Sequence, residues 1–334
     1  MNEKNRRLAE FCRKHGYDGV LIRRRSNIAW AADGADVHCN RGTPLGVASL
    51  LWTPQRKTVL TTNIEDARLA AEEFNGEWDI HAKPWWTADE RPPGTFATDY
   101  PDDNIAELRF SLTPRELEQV QALGHDTADI MSRVMRGIRT GQTERDVAAD
   151  LMADLQREAI FCPVILVAAD ERIALYRHPI PTSKRIERAV LVVLCAQRHG
   201  LIVCISRMVH FGPLPADLRR RHDAVCRVDE ALQHATRPGV RWCDALAAGI
   251  RAYEETGFPD EWKKHHQGGP MGYETRDFLA TPSETRVVLP NQVVGWNPTI
   301  TGTKSEDTTL SSGENLTAMP DWPLCGTRPD ILCR

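Results

Sequence analysis

The stretch from Asn291 to Leu310, NQVVGWNPTITGTKSEDTTL, places an amide and a carboxylate where chemistry could occur. Its halves Gln292–Trp296 and Lys304–Leu310 alternate like strands and flank a Pro-Thr-Ile-Thr-Gly turn. An antiparallel pair of this kind holds side chains at fixed separations on one face, here Asn297 and Glu306 near the turn. Glu306 sits in an SEDTT run where the sequence reveals no structural duty for a bare carboxylate. The alternative is a solvated acidic hairpin.

The elements that must position this hairpin follow in chain order. Glu3–His15 has helical spacing at Leu8, Phe11 and Cys12 and stops at Gly16. Gly19–Ile22, Ile28–Ala32, Ala48–Trp52 and Thr58–Thr61 read as strands, Glu65–Phe74 as a helix, and Trp78–Lys83 as a further strand. That alternation makes a small α/β domain ending near Trp86, followed by a linker from Thr87 to Asn104. The domain division is therefore 1–104 and 105–334. The second part opens on a capping sequence, Thr113-Pro114-Arg115-Glu116, for a helix to about Arg136. Thr143 caps a helix through Glu158. Strands follow at Val164–Ala168, Arg188–Cys195 and Leu201–Val209, then helices at Ala216–Ala235 and Cys243–Thr256.

The chain has 334 residues, a formal charge of −4 and a pI near 6.3, which gives no electrostatic case for nucleic acid or an anionic membrane. No apolar run approaches a membrane span, and the polar amino terminus does not resemble a signal peptide. The nine cysteines form no C-x-x-C pair, which argues for reduced thiols in a cytoplasmic protein and against a disulfide framework.

The order of landmarks resembles the creatinase, aminopeptidase P and methionine aminopeptidase superfamily, the pita-bread fold. DGVLIRRRSNIAWAADG is similar to the start of its amino-terminal domain. LTPRELEQVQALGHDTADIMSRVMRGIRTGQTERDVAADL is similar to the helical opening of its catalytic domain, and HPIPTSKRIERAVLVVLCAQRHGLIVCISRMV to the segment with the first two metal ligands. The implied fold class is an α/β amino-terminal domain followed by an α+β pita-bread domain. In the metallopeptidases of this superfamily two Asp, one His and two Glu hold two metal ions. Those positions fall here on Val193, Cys204, His266 (with His265 almost as good a match), Asn297 and Glu306. Valine cannot coordinate and an amide poorly replaces a bridging carboxylate, so no dinuclear centre and no cofactor are expected.

Creatinase hydrolyses a C–N bond on this fold without metal, and the resemblance implies the same here. His266 would move the proton, Glu306 would orient it or the substrate, and His178 would stand at the pocket mouth. Cys204 is a packing residue, an activated nucleophile, or, with His266 and Glu306, a ligand to a single zinc ion. Cys195 reads as packing. His265, Asn297, Arg207, Arg276 and Tyr273 complete the expected substrate contacts. Arg23, Arg24 and Arg25 form either a solvated basic turn or, with Arg41, a carboxylate clamp over the pocket of a partner in a homodimer. The implied substrate is small, polar and amino-acid-like. The rival reading is a non-catalytic binding protein on the same fold.

Overall fold

The computed structural model describes residues 2–74, 76–88 and 93–334, which fall into two compact units: 1–113 with 199–201, and 114–198 with 202–334. The first unit begins with α1 (Glu3–His15), capped by the Asn2 side chain and ended by Gly16 in the left-handed conformation. Its elements are β1 (Gly19–Arg24), α2 (Arg25–Ala31), β2 (Leu45–Trp52), β3 (Lys57–Thr62), α3 (Asp66–Arg68) widening into a π turn over Leu69–Glu73, β4 (Asp79–Lys83) and β5 (Phe96–Thr98). They form one sheet in the order β4-β3-β2-β1-β5.

Two expectations change in this unit. Ile28–Ala32 is not a strand but lies mostly within α2. Asn27, Ile28, Ala29 and Trp30 are buried in succession, which a pleated strand on one face of a sheet does not allow. The expected linker contains β5, which is too short to show a period and pairs in parallel with β1; residues 89–92 of that linker lie outside the described residues. The Asp99 carboxylate accepts from the Arg23 and Arg24 amides and from Asn27 Nδ2, fastening the end of β5 to α2. Arg7 reaches the carbonyls of Leu108 and Ser111, and Arg109 reaches Asn27 and Asp103. These bonds carry the first unit on to Thr113.

The second unit starts with α4 (Pro114–Gly137) and α5 (Glu144–Arg157). Thr143 and Asp146 form a reciprocal capping box at the start of α5. After them come β6 (Phe161–Ala169), the single turn α6 (Arg172–Leu175), β7 (Ala189–Arg198), β8 (Leu201–His210), α7 (Ala216–Ala235) and α8 (Trp242–Glu255). The last stretch supplies β9 (Gly268–Met271), β10 (Val293–Trp296), β11 (Thr299–Ile300), β12 (Thr303–Lys304), β13 (Asp307–Leu310), β14 (Leu324–Cys325), β15 (Arg328–Pro329) and β16 (Leu332–Cys333).

Two sheets frame the candidate site, one ordered β16-β8-β7-β6 and the other β13-β10-β9. The expected hairpin is present, with Trp296 opposite Asp307 and Val293 opposite Leu310. Its tip is a second small ladder, β11 against β12. The sheets meet where the Ser206 amide donates to the Glu306 carbonyl and the Cys204 amide to Thr308 Oγ1. Behind β10, Trp242, Leu246 and Tyr253 from α8 and Leu232 from α7 pack with Trp296 and Ile300 in one apolar cluster. Burial of this kind, about 1.5–3 kcal/mol per large side chain, fixes the sheet that carries Glu306. Among the described residues no helix is long and apolar enough to cross a membrane.

Candidate functional site

Alternation along a strand puts Cys204 and Ser206 on one face of β8, and Lys304 and Glu306 on one side of the extended run between β12 and β13. All four are buried. Glu306 receives a hydrogen bond from Ser206 Oγ and an ion pair from Lys304 Nζ at 3.0 Å. Arg276 Nη2 reaches its other oxygen at 3.4 Å, while Nη1 of the same guanidinium lies 3.6 Å from Cys204 Sγ. Room for that guanidinium depends on Gly295, where a Cβ would lie 2.9 Å from Arg276 Nη1 and 2.6 Å from Met271 Sδ. Burial raises the pKa of Glu306, but Lys304, Arg276 and Ser206 together outweigh it, so the group stays below the ordinary carboxylate range and ionised.

Cys204 has a second partner, because Cys195 Sγ lies 3.1 Å from Cys204 Sγ. The bond from Cys195 and the nearby Arg276 lower the pKa of Cys204 against the effect of burial; Cys195, sharing that bond and buried, is raised. Val193 belongs elsewhere. It pairs with Leu166 across β6–β7 and packs with Leu166, Ala168, Ile173, Met208 and Ile331. The residue of β7 that reaches Cys204 is therefore Cys195, two positions on, and not Val193.

The histidines form a separate group on the same unit. His178 Nε2 and His265 Nε2 are 3.1 Å apart, and the His265 and His266 rings stack at 4.3 Å. His178 is exposed and the other two are half-buried. Burial, then Lys304, depress the pKa of His265 to about 2; burial, then Arg276 and Lys304, depress that of His266 to about 4. His178 is lowered by burial and Lys304, with Glu306 acting against them. At neutral pH the three are uncharged imidazoles. His266 is not among the hydrogen-bond partners of Glu306, so the expected orientation of His266 by that carboxylate is absent from this geometry.

The remaining expected residues have other partners. Arg207 is buried, with its guanidinium on Asp307 at 2.8 Å, on the Ser206, Glu306 and Thr317 carbonyls, and on Met319 Sδ. Tyr273 Oη donates to Glu116 Oε1 on α4 at 2.6 Å, within the core. Asn297 is buried beyond the end of β10; its amide donates to the Gln267 carbonyl at 2.9 Å, and its Oδ1 has no hydrogen-bond partner in the protein. Arg25 and Arg41 lie in the first unit, where Arg25 holds the Thr43 and Arg41 carbonyls and Arg41 pairs with Asp36. Lys304 and Ser206 were missed by sequence reasoning, although the two-residue period around Glu306 and Cys204 signals both.

The profile of metallopeptidase family M24 matches residues 118–315. The Xaa-Pro dipeptidase of Pyrococcus horikoshii is 22% identical over 337 residues, covering 93% of this chain and 94% of that protein. A dipeptidase structure from the same organism superposes with a TM-score of 0.80 at 14% identity, over 99% of this chain and all of that one (100%). The N-terminal domain of the FACT complex subunit SPT16 from chickpea superposes with a TM-score of 0.69 at 12% identity, over 95% of each chain. The two-part α/β and pita-bread architecture expected from the sequence is the fold of this chain.

Proposed function

We propose that this chain, which belongs to metallopeptidase family M24, is a hydrolase that works without the dinuclear metal centre its family name implies. The observation that carries this reading is the guanidinium of Arg276. It lies against Cys204 Sγ and Glu306 Oε1, and Lys304 already holds the other oxygen of Glu306. Two added divalent cations would meet two fixed positive charges and, besides Glu306, only thiols, an imidazole and an amide. Hard or borderline ions in such a site need several carboxylates to neutralise them. The residues present do not fit that centre.

The same contact weighs against a single zinc ion held by Cys204, His266 and Glu306, because Arg276 lies across two of the three donors. It weighs against Cys204 as nucleophile as well. That thiol is fully buried, between Cys195 and Arg276. Water activated by a base is the remaining route. His266, neutral at physiological pH, accepts a proton from water as its oxygen adds to the scissile carbon. The imidazolium then returns the proton to the leaving nitrogen as the C–N or amide bond breaks. His178 and His265 contact a small, polar, amino-acid-like substrate. We read the assembly as a cytoplasmic homodimer in which Arg25 and Arg41 of one subunit serve the pocket of the other.

A panel of Xaa-Pro dipeptides, amino-acid amides and small guanidino compounds tests the reading. Hydrolysis that survives exhaustive chelation and drops by roughly 10²–10⁴-fold in His266→Ala supports it. Hydrolysis abolished by chelation and restored by manganese or cobalt overturns it. A second reading, a binding protein without turnover, is favoured by one observation: with its conjugate acid at about 4, His266 is a weak base. Saturable binding of a panel member with no product would select that reading.

A further inference from the structure

The three histidines gather donor atoms that the proposed reaction does not require in that number. His178, His265 and His266 each present a ring nitrogen within 4.8 Å of the other two. His178 Nε2 and His265 Nε2 are already 3.1 Å apart. Zinc–imidazole bonds of about 2.0–2.1 Å set neighbouring donors roughly 3.4 Å apart around a tetrahedral ion, so shifts of about an ångström would complete the set. We infer that this cluster is a mononuclear site for a borderline transition-metal ion such as Zn²⁺, Ni²⁺ or Cu²⁺, built from three imidazoles and no carboxylate.

Two observations support a ligand here over chance proximity. His266 Nδ1 is buried with no hydrogen-bond partner in the protein, an arrangement rare for a polar atom unless something else satisfies it. The supporting backbone is also held rigidly. The Gln267 side chain donates to the Trp262 and His265 carbonyls and accepts from Tyr253 Oη, fixing the segment that carries His265 and His266. On the opposite side the Pro179 carbonyl accepts the Val167 amide, and Arg177 is bound to Glu261 and Thr301, which bracket His178. Fixed first ligands of this kind favour metal binding because less ordering remains to be done.

The donor set selects the ion. Three imidazoles and no carboxylate suit zinc, nickel and copper, and are poor for magnesium, calcium or manganese. A fourth position would stay open to water or to a substrate atom. The nearby cations are each paired in place, Lys304 and Arg276 sharing Glu306 and Arg177 bound to Glu261. On the reading that His266 takes the proton, such an ion competes with that proton and inhibits; the binding itself does not depend on that reading.

Cobalt(II) titration of tag-free, chelator-dialysed protein tests the site directly, with visible absorption reporting tetrahedral coordination and calorimetry with Zn²⁺ giving stoichiometry. The expected result is one equivalent per chain, weakened about tenfold or more by His178→Ala and by His265→Ala, as loss of one of three ligands requires. His178 is exposed, so its variant folds normally and keeps the test decisive if His265→Ala does not. Absence of tetrahedral cobalt bands, affinity unchanged in His178→Ala, or binding lost in Glu306→Gln would each overturn the inference.

Discussion

The half-buried guanidinium of Arg276 and the buried carboxylate of Glu306 lie 3.4 Å apart, and the same guanidinium reaches Cys204 on the neighbouring sheet. A fixed cation thus joins β8 to the strand run that carries Glu306. Removing it should be costly. Arg276→Met leaves Glu306 with Lys304 and Ser206 alone, and we expect a loss of about 3 kcal/mol in chemical denaturation, as for other broken buried ion pairs. Unchanged stability would mean that the pair contributes nothing.

Gly295→Ala tests the same contact from the opposite strand. The new methyl would sit 2.9 Å from Arg276 Nη1 and 2.6 Å from Met271 Sδ. Overpacking of this kind costs about 1–3 kcal/mol. A melting temperature equal to that of the parent protein would show that the guanidinium can move aside.

Cys204→Ser should leave turnover within about twofold, since the thiol is not asked to attack carbon. In the native protein Cys204 should also resist iodoacetamide under conditions that label the exposed Cys39. Loss of hydrolysis in the serine variant with the fold intact would restore the nucleophile reading.

Stability should fall as the medium is acidified through the histidine range. The folded pKa values of His265 and His266, about 2 and about 4, lie below the ordinary 6.5. Between about pH 4 and 6.5 the unfolded chain therefore binds more protons than the folded one, and the equilibrium shifts toward unfolding as pH drops. The stability that these neutral rings contribute is fully present above pH 6.5 and declines below it. Melting curves of the parent and of His265→Gln across this window should converge at low pH.

The rate should report the same depression. If His266 is the base, kcat/KM rises with pH to a plateau whose acid limb is centred at about 4, and the enzyme stays active at pH 5. An acid limb at the ordinary imidazole value would mean that another group takes the proton.

What the sequence revealed was local, and what it concealed depended on contacts between distant residues. Thr143 announces its capping box within four residues, and the alternation around Trp296 and Asp307 fixes a register, so these elements were legible. The run Ile28–Ala32 has the composition of a strand, and only its packing on all sides turns it into helix. The contact between Cys195 and Cys204 was not legible either, because it depends on how β7 and β8 pair. Arg276 is 72 residues from Cys204 and 30 from Glu306, and no local pattern marks it as their shared partner.

The guanidinium that Gly295 makes room for has a consequence for how this pocket could change over time. Suppose Cys204 were replaced by aspartate while Arg276 stayed. The new carboxylate would find a tethered counter-ion already at hand, and would hold it more tightly instead of freeing space for a metal. Losing Arg276 first would strand Glu306 beside Lys304 in a buried gap, at the cost reckoned above. Each of these single substitutions is therefore either self-cancelling or harmful, because the charge it adds or removes is already answered by a neighbour held in place.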